Sequence, residues 1–206
     1  DPKAVPVLSP QYESNVPGIY IVGALGGYPL IKQAMNQGYE AVEYILGNPV
    51  EPADEPVLKA KFKNVKITSV NEAVLHIQNS VPLLSGLTLL QLRELLLESE
   101  IHRPQEGEIV FNKNDYTNSF YSIVEGAVTV EATTSTGAAI AFKLEKGDFF
   151  GEMGLISGRR RTATVRAEKR TLLVETPRRA MLKLLASVDS VRKKLDEVMI
   201  RRAVRQ

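Results

Sequence analysis

The stretch Gly147-Asp148-Phe149-Phe150-Gly151-Glu152-Met153-Gly154-Leu155-Ile156-Ser157-Gly158-Arg159-Arg160-Arg161-Thr162-Ala163-Thr164-Val165 gathers the residue types from which an anion site is made. A short helical turn here, joining two strands, exposes unpaired N–H groups at its start, around Glu152 to Gly154. With the Arg161 guanidinium from the following strand, those groups make a compact site that suits a phosphate. Glycines at 151, 154 and 158 allow close backbone approach and unusual φ. Glu152 is the odd member, because a carboxylate beside a phosphate repels it. It is useful there mainly if the ligand also offers a hydroxyl donor, as a ribose does.

Little else in the chain competes for chemistry. There are no cysteines, so disulfides, thiolate metal sites, iron–sulfur ligands and dithiol redox chemistry are excluded within these residues. Two histidines, His76 and His102, are few for a metal or acid–base site, and each reads as a surface or capping residue. No catalytic residue and no metal ligand set is expected. Arg159 and Arg160 read as solvated loop charges. The formal net charge of +2 does not announce a nucleic-acid partner, and none is expected.

These residues need a scaffold, and 206 residues, 44% hydrophobic and 24% charged, can build one with a real core. No apolar run approaches the roughly 20 residues of a membrane span. The expected setting is a segment of a longer cytoplasmic protein. Residues 159–206 hold fifteen Lys/Arg against five Asp/Glu, so the basic excess lies at the C-terminal end. From Leu87 onward, Leu89, Leu92, Leu95 and Leu96 form one helical face. Six strand-like runs then alternate with turns at Gly107, Gly126, Gly137 and Gly147: 108–111, 120–124, 127–132, 139–144, 163–167 and 172–176. The expectation is an α+β fold, an antiparallel β-roll or jelly roll with flanking helices. Met181, Leu182, Leu184 and Leu185 mark one closing helix after Pro177. Val188, Val191, Leu195 and Val198 mark a last helix, from Asp189 to Arg205. Their seam serves either core packing or pairing with a second copy as a homodimer.

The cassette residues resemble the cyclic nucleotide-binding domain family, which includes the catabolite activator protein and the regulatory subunits of cyclic-AMP-dependent kinase. Phe150 to Leu155 and Arg161 to Val165 fill the family's phosphate-binding cassette without gaps, and the resemblance spans residues 81–206. It implies that Arg161 binds the cyclic phosphate and Glu152 accepts from the ribose 2′-hydroxyl, with cAMP or cGMP as ligand. The chemistry agrees: a 3′,5′-cyclic phosphate leaves the 2′-hydroxyl as the one free sugar donor, and one Arg can hold a singly charged phosphodiester bidentately. Gly151, Phe150, Met153, Thr162 and Ala163 belong to the same cassette. Thr162 stands where family cAMP sites often have Ala and cGMP sites Thr. Phe111, Val130, Phe142 and Phe150 match positions near the base and sugar pocket; plain roll core is the simpler reading of each, and Phe150 is the best pocket candidate among them. The last helix would lid the base.

The first fifty residues are of another kind. Gly18-Ile19-Tyr20-Ile21-Val22-Gly23 suits a buried strand, Gly23-Ala24-Leu25-Gly26-Gly27 a turn, and Ile31, Ala34, Met35, Gly38, Val42 and Ile45 a helix ending near Gly47. One strand–helix unit is too little for an α/β domain, so its partners are expected upstream. The unit resembles the C-terminal flavin-contacting piece of thioredoxin-reductase-like flavoproteins, with Ala24 where those have the flavin-contacting Asp. Gly23 and Ala24 are the residues that would approach a cofactor. The expected domains are 1–47, this flavoprotein tail; 48–80, a proline-bearing linker with a short helix near Val70 to Ile77; and 81–206, the nucleotide-binding domain. FAD and NAD(P)H would belong only to the full-length parent, an oxidoreductase that the domain regulates. The alternatives are the sensor of a catabolite-activator-type transcription factor and a structural dimerisation cap.

Overall fold

The computed structural model describes residues 5–26, 31–65, 68–134 and 137–203. These form two compact units, residues 1–74 with 87–97 and residues 75–86 with 98–206. Gly27, Tyr28, Pro29, Leu30 and Arg205 lie outside the described residues.

The first unit is helical, built from α1 (Ile31–Ile45), α2 (Glu55–Lys61), most of α4 (Leu89–Glu98) and the start of α3 (Val70–Ser80), with 3-10 turns at Gly23–Gly26 and Phe62–Asn64. The expected strand at Gly18–Gly23 is not formed. Tyr20 makes one isolated bridge, to Glu13, because a strand needs a neighbour's N–H and C=O groups and this unit supplies no other strand among its described residues. The expected 48–80 linker is instead largely helical. Glu55 in the first turn complements the helix dipole, and proline is tolerated at the start of α2, where its missing N–H has no intrahelical partner. Arg93 of α4 ties the unit together from its interior. Its Nε and Nη2 hold both Asp54 oxygens at 2.7 and 2.6 Å, Nη2 also reaches Glu55 at 2.9 Å, and Nη1 reaches Asn71 at 2.7 Å.

Helix α1 is inverted. Its buried side carries Gln37, Glu40 and Ala41, with Glu40 accepting from the Tyr12 hydroxyl and from the Ala53 N–H at 2.8 Å. The apolar residues that define it in sequence, Ile31, Met35, Val42 and Ile45, are exposed together with Tyr39, Ile31 at 83%. An amphipathic helix ordinarily buries that stripe.

The second unit is the antiparallel roll. Its strands are β1 (Glu100–His102), β2 (Ile109–Phe111), β3 (Phe120–Glu125), β4 (Ala127–Thr133), β5 (Ala139–Glu145), β6 (Phe149–Phe150), β7 (Thr164–Ala167) and β8 (Leu172–Thr176). They form two four-stranded sheets, ordered β1-β8-β3-β6 and β2-β7-β4-β5. Phe111, Tyr121, Ile123, Val128, Val130, Phe150, Val165 and Leu173 make a common core from both sheets. β6, of two residues, is too short to leave a periodic signal, and β1 follows α4 after a single residue, so neither is anticipated from the sequence. At the β3–β4 turn Gly126 has φ +71°, and a Cβ there would meet Arg170 and Thr171 backbone at 2.8 Å.

Between β6 and β7 lies α5 (Glu152–Ser157), and after β8 come α6 (Arg178–Ser187) and α7 (Asp189–Ala203). The seam of α7 packs on its own unit: Val191 and Leu195 are buried, α7 lies against α6 and the turn at Pro82–Leu84, and Lys194 Nζ donates to Pro82 O at 2.9 Å. Intrachain packing thus accounts for the spacing that a second copy could also have explained. Among the described residues no helix is long and apolar enough to cross a membrane.

Candidate functional site

Gly151 begins the cassette with φ +86°, a left-handed conformation that only glycine adopts cheaply. The space requires glycine as well, since a Cβ there would lie 2.7 Å from Arg161 Nη1 and 2.8 Å from Ser119 O. This close approach brings the guanidinium, the start of α5 and the segment before β3 to one point.

Arg161 is 3% exposed. Its Nε donates to Thr117 Oγ1 at 2.9 Å, Nη1 to Gly151 O at 3.3 Å and Nη2 to Ser119 O at 2.7 Å. The guanidinium carbon lies 4.1 Å from the Phe111 ring centre and 5.7 Å from that of Tyr121. A guanidinium has five N–H groups, so these bonds leave one on each terminal nitrogen, the pair a bidentate acceptor would take. Burial pulls the Arg161 pKa below the ordinary arginine value, opposed by Tyr121, Glu175, Asp115 and Glu152.

Glu152, at the first position of α5, is nearly buried, and its Oε1 lies 3.0 Å from Arg202 Nη1 of α7. Arg202 Nη2 also donates to Phe149 O at 2.7 Å, and its guanidinium lies over the Phe149 ring at 4.9 Å. The Glu152 carboxylate, out of place beside a candidate anion site, has its charge offset here by Arg202. Sequence reasoning did not assign Arg202 a role: a basic residue fifty positions downstream carries no local signal.

The other expected site residues divide. Phe111, Val130 and Phe150 are buried in the roll core, with Ala163 packed against it, and the Phe150 ring stacks on Tyr121 at 4.9 Å and 3°. Phe142 stands opposite Val130 on the β4–β5 ladder but is 45% exposed, so it offers an uncovered apolar face. Met153 and Thr162 are exposed. In the helical unit, Gly23 gives its N–H to Gln37 Oε1 at 2.7 Å, so that group is already occupied; Ala24 is exposed. Neither histidine stands alone: His76 pairs with Glu125 at 3.0 Å and His102 with Glu175 at 2.8 Å. Arg160 lies over the Tyr116 ring at 3.5 Å.

Comparison with known proteins agrees with this geometry. Residues 102–188 match the family model of the cyclic nucleotide-binding domain. The cAMP-dependent protein kinase regulatory subunit of Mycosarcoma maydis is 30% identical over 116 residues, 54% of this chain and 22% of that one. Its counterpart in Schizosaccharomyces pombe is 34% identical over 107 residues, 52% and 25% of the two chains. The chain thus spans about a quarter of the length of these relatives. The catabolite activator protein of Thermus thermophilus superposes with a TM-score of 0.52 at 26% identity, covering 60% of this chain and 59% of the other. The match to the cyclic nucleotide-binding domain thus lies within the second unit, which folds as an antiparallel roll with flanking helices, as in the catabolite activator protein.

Proposed function

We propose that the domain senses cAMP or cGMP, with Arg161 holding the cyclic phosphate and Glu152 the ribose 2′-hydroxyl. One observation carries the reading: Arg161 keeps one N–H on each terminal nitrogen beside Gly151, where the cassette turns into α5. Glu152 Oε1 is engaged by Arg202, and among the described residues Oε2 makes no hydrogen bond, so it is the atom offered to a hydroxyl. Phe142 supplies an exposed ring on the inner side of the β4–β5 ladder, opposite Val130, suited to a base. Several relatives are named as cAMP-dependent kinase regulatory subunits and one as a cGMP-dependent phosphodiesterase, which supports the ligand class. Calorimetry with both nucleotides tests the reading. Saturable heat with either supports it, and no heat at millimolar ligand leaves a structural cap.

The larger protein, in this reading, is a cytoplasmic FAD- and NAD(P)H-dependent oxidoreductase of thioredoxin-reductase-like type whose flavoprotein domain precedes residue 1. The inverted α1 supports it, since Ile31, Met35, Tyr39, Val42 and Ile45 present an apolar stripe that an upstream α/β layer would cover. The test is flavin absorbance and NADPH oxidation of a protein extended upstream, with and without cyclic nucleotide. The fold shared with the catabolite activator protein favours the second reading, a transcription-factor sensor. Tight, salt-dependent binding of duplex DNA by a longer form would establish that instead.

A further inference from the structure

Beside Arg161 runs a polar path that lies outside the cassette. Ser119, whose carbonyl accepts from Arg161 Nη2, and Tyr121, whose ring lies near the guanidinium, stand beside Glu175 of β8, and their hydroxyls help His102 hold that carboxyl below the ordinary carboxylate range. Tyr121 and Glu175 are direct cross-strand partners in the β3–β8 ladder, so their side chains share one face. On the other side of β8, His102 Nε2 from β1 holds Glu175 Oε2 at 2.8 Å, and the imidazole is half exposed and open to solvent protons. A cation, a carboxylate and a titratable base therefore stand in a row across the sheet: Arg161, Glu175, His102.

We infer that Glu175 is a positioning residue for Arg161, anchoring Ser119 and through it the guanidinium, and that His102 protonation sets how much Arg161 charge reaches a bound phosphate. The inference deepens the cyclic nucleotide reading and rests on it. With His102 protonated, the imidazolium offsets Glu175 and the Arg161 field acts outward on the anion. With His102 neutral, the Glu175 charge is uncompensated behind Arg161 and subtracts from that field. The other groups facing the row are Glu100 and Glu108, which favour the imidazolium, and Asp115 and Glu152, which favour the charged form of Arg161. A cyclic phosphodiester keeps its single charge across this range, so the change belongs to the protein. By linkage, an anion bound at Arg161 makes His102 harder to deprotonate.

The effect on affinity is about two- to fivefold, the scale of one charge acting across a partly screened distance. The chain has only two histidines, so its imidazole NMR signals can be assigned with His76→Gln. Without ligand, Glu175→Gln should lower the His102 pKa and Arg161→Gln should raise it. Calorimetry with cAMP and cGMP should show the unsubstituted chain binding about two- to fivefold more weakly near about pH 9 than near about pH 6, while His102→Gln is flat between them. A His102 titration unmoved by both Glu175→Gln and Arg161→Gln overturns the inference. So does an equal pH slope in His102→Gln. If His102 responds to Arg161→Gln but neither nucleotide binds, the coupling stands and the ligand reading falls.

Discussion

Arg202 and Glu152 meet head to head, Nη1 3.0 Å from Oε1, joining the last turn of α7 to the first residue of α5. The same guanidinium donates to Phe149 O at 2.7 Å, so one side chain closes the C-terminal helix onto both ends of the Phe149-to-Glu152 bend. Any hydroxyl that approaches Glu152 meets a carboxylate whose charge α7 already shares.

Removing that clasp should free the end of α7. For Arg202→Ala we expect a loss of about 1–2 kcal/mol, since the pair is partly buried and charge-assisted. Amide exchange should accelerate in the last turns of α7 more than in the β3–β8 ladder. Unchanged protection in α7 would mean that Val191 and Leu195 alone hold the helix.

Nucleotide binding should depend on the form of the cation as well as its charge. Arg161→Ala is expected to cost about 2–5 kcal/mol of binding, the range for stranding one partner of a buried charged pair. Arg161→Lys should recover little, because an ammonium cannot serve Thr117, Ser119 and Gly151 while also gripping a phosphate. Glu152→Ala should cost about 1.5–3 kcal/mol. Equal binding of a 2′-deoxy cyclic nucleotide and its ribose parent would remove the role given to Glu152.

Gly151→Ala should damage the site from the backbone. The left-handed conformation alone costs about 1–2 kcal/mol with a Cβ present, and contact with Ser119 O and Arg161 Nη1 adds to it. Thermal melting should show a lower midpoint, and cyclic nucleotide affinity should fall with it. A substitution neutral in both would mean that the cassette has room to shift.

Stability should fall away at both ends of the pH scale through one ion pair. The His102 hydrogen bond is the chief cause holding the Glu175 carboxyl down at about 2, below its ordinary 4.5. Its stabilisation is therefore present above about pH 4.5 and lost as pH falls toward 2. His102 is raised above its ordinary 6.5, chiefly by the same bond. Its share is complete below 6.5 and is lost as pH rises through the raised value. Melting curves across that range should lose both limbs in Glu175→Gln, and an acid limb that survived would have to come from other carboxylates.

The helical unit offers a test of its own. Arg93→Met leaves Asp54 and Glu55 facing each other without their shared cation, which is expected to cost about 3–5 kcal/mol. Adding Asp54→Asn and Glu55→Gln should restore part of the loss. Denaturant midpoints of the single and triple variants check this.

The roll and its cassette were legible because their signals are local. Runs of four to six residues, most of them set off by glycines, announced most strands within a residue or two of where they lie. β6 escaped because two residues carry no period, and β1 because it follows α4 after a single residue, with no turn signal between them. Helix α1 was found from its apolar spacing, yet that spacing misled about direction, since Gln37 and Glu40 are the residues turned inward. The run at 19–22 has strand composition and no strand to pair with among the described residues of its unit.

The amino-acid order by itself marked out Gly151, Glu152 and Arg161 as the candidate site, because a bend, an acid and a guanidinium within ten positions are a short-range pattern. Only the folded chain decided that Arg202 holds the acid, that Ser119 and Thr117 hold the guanidinium, and that Glu175 and His102 stand behind it. Those pairings join residues from 42 to 73 positions apart. Sheet order and helix packing set such distances, and neither has a counterpart in local spacing.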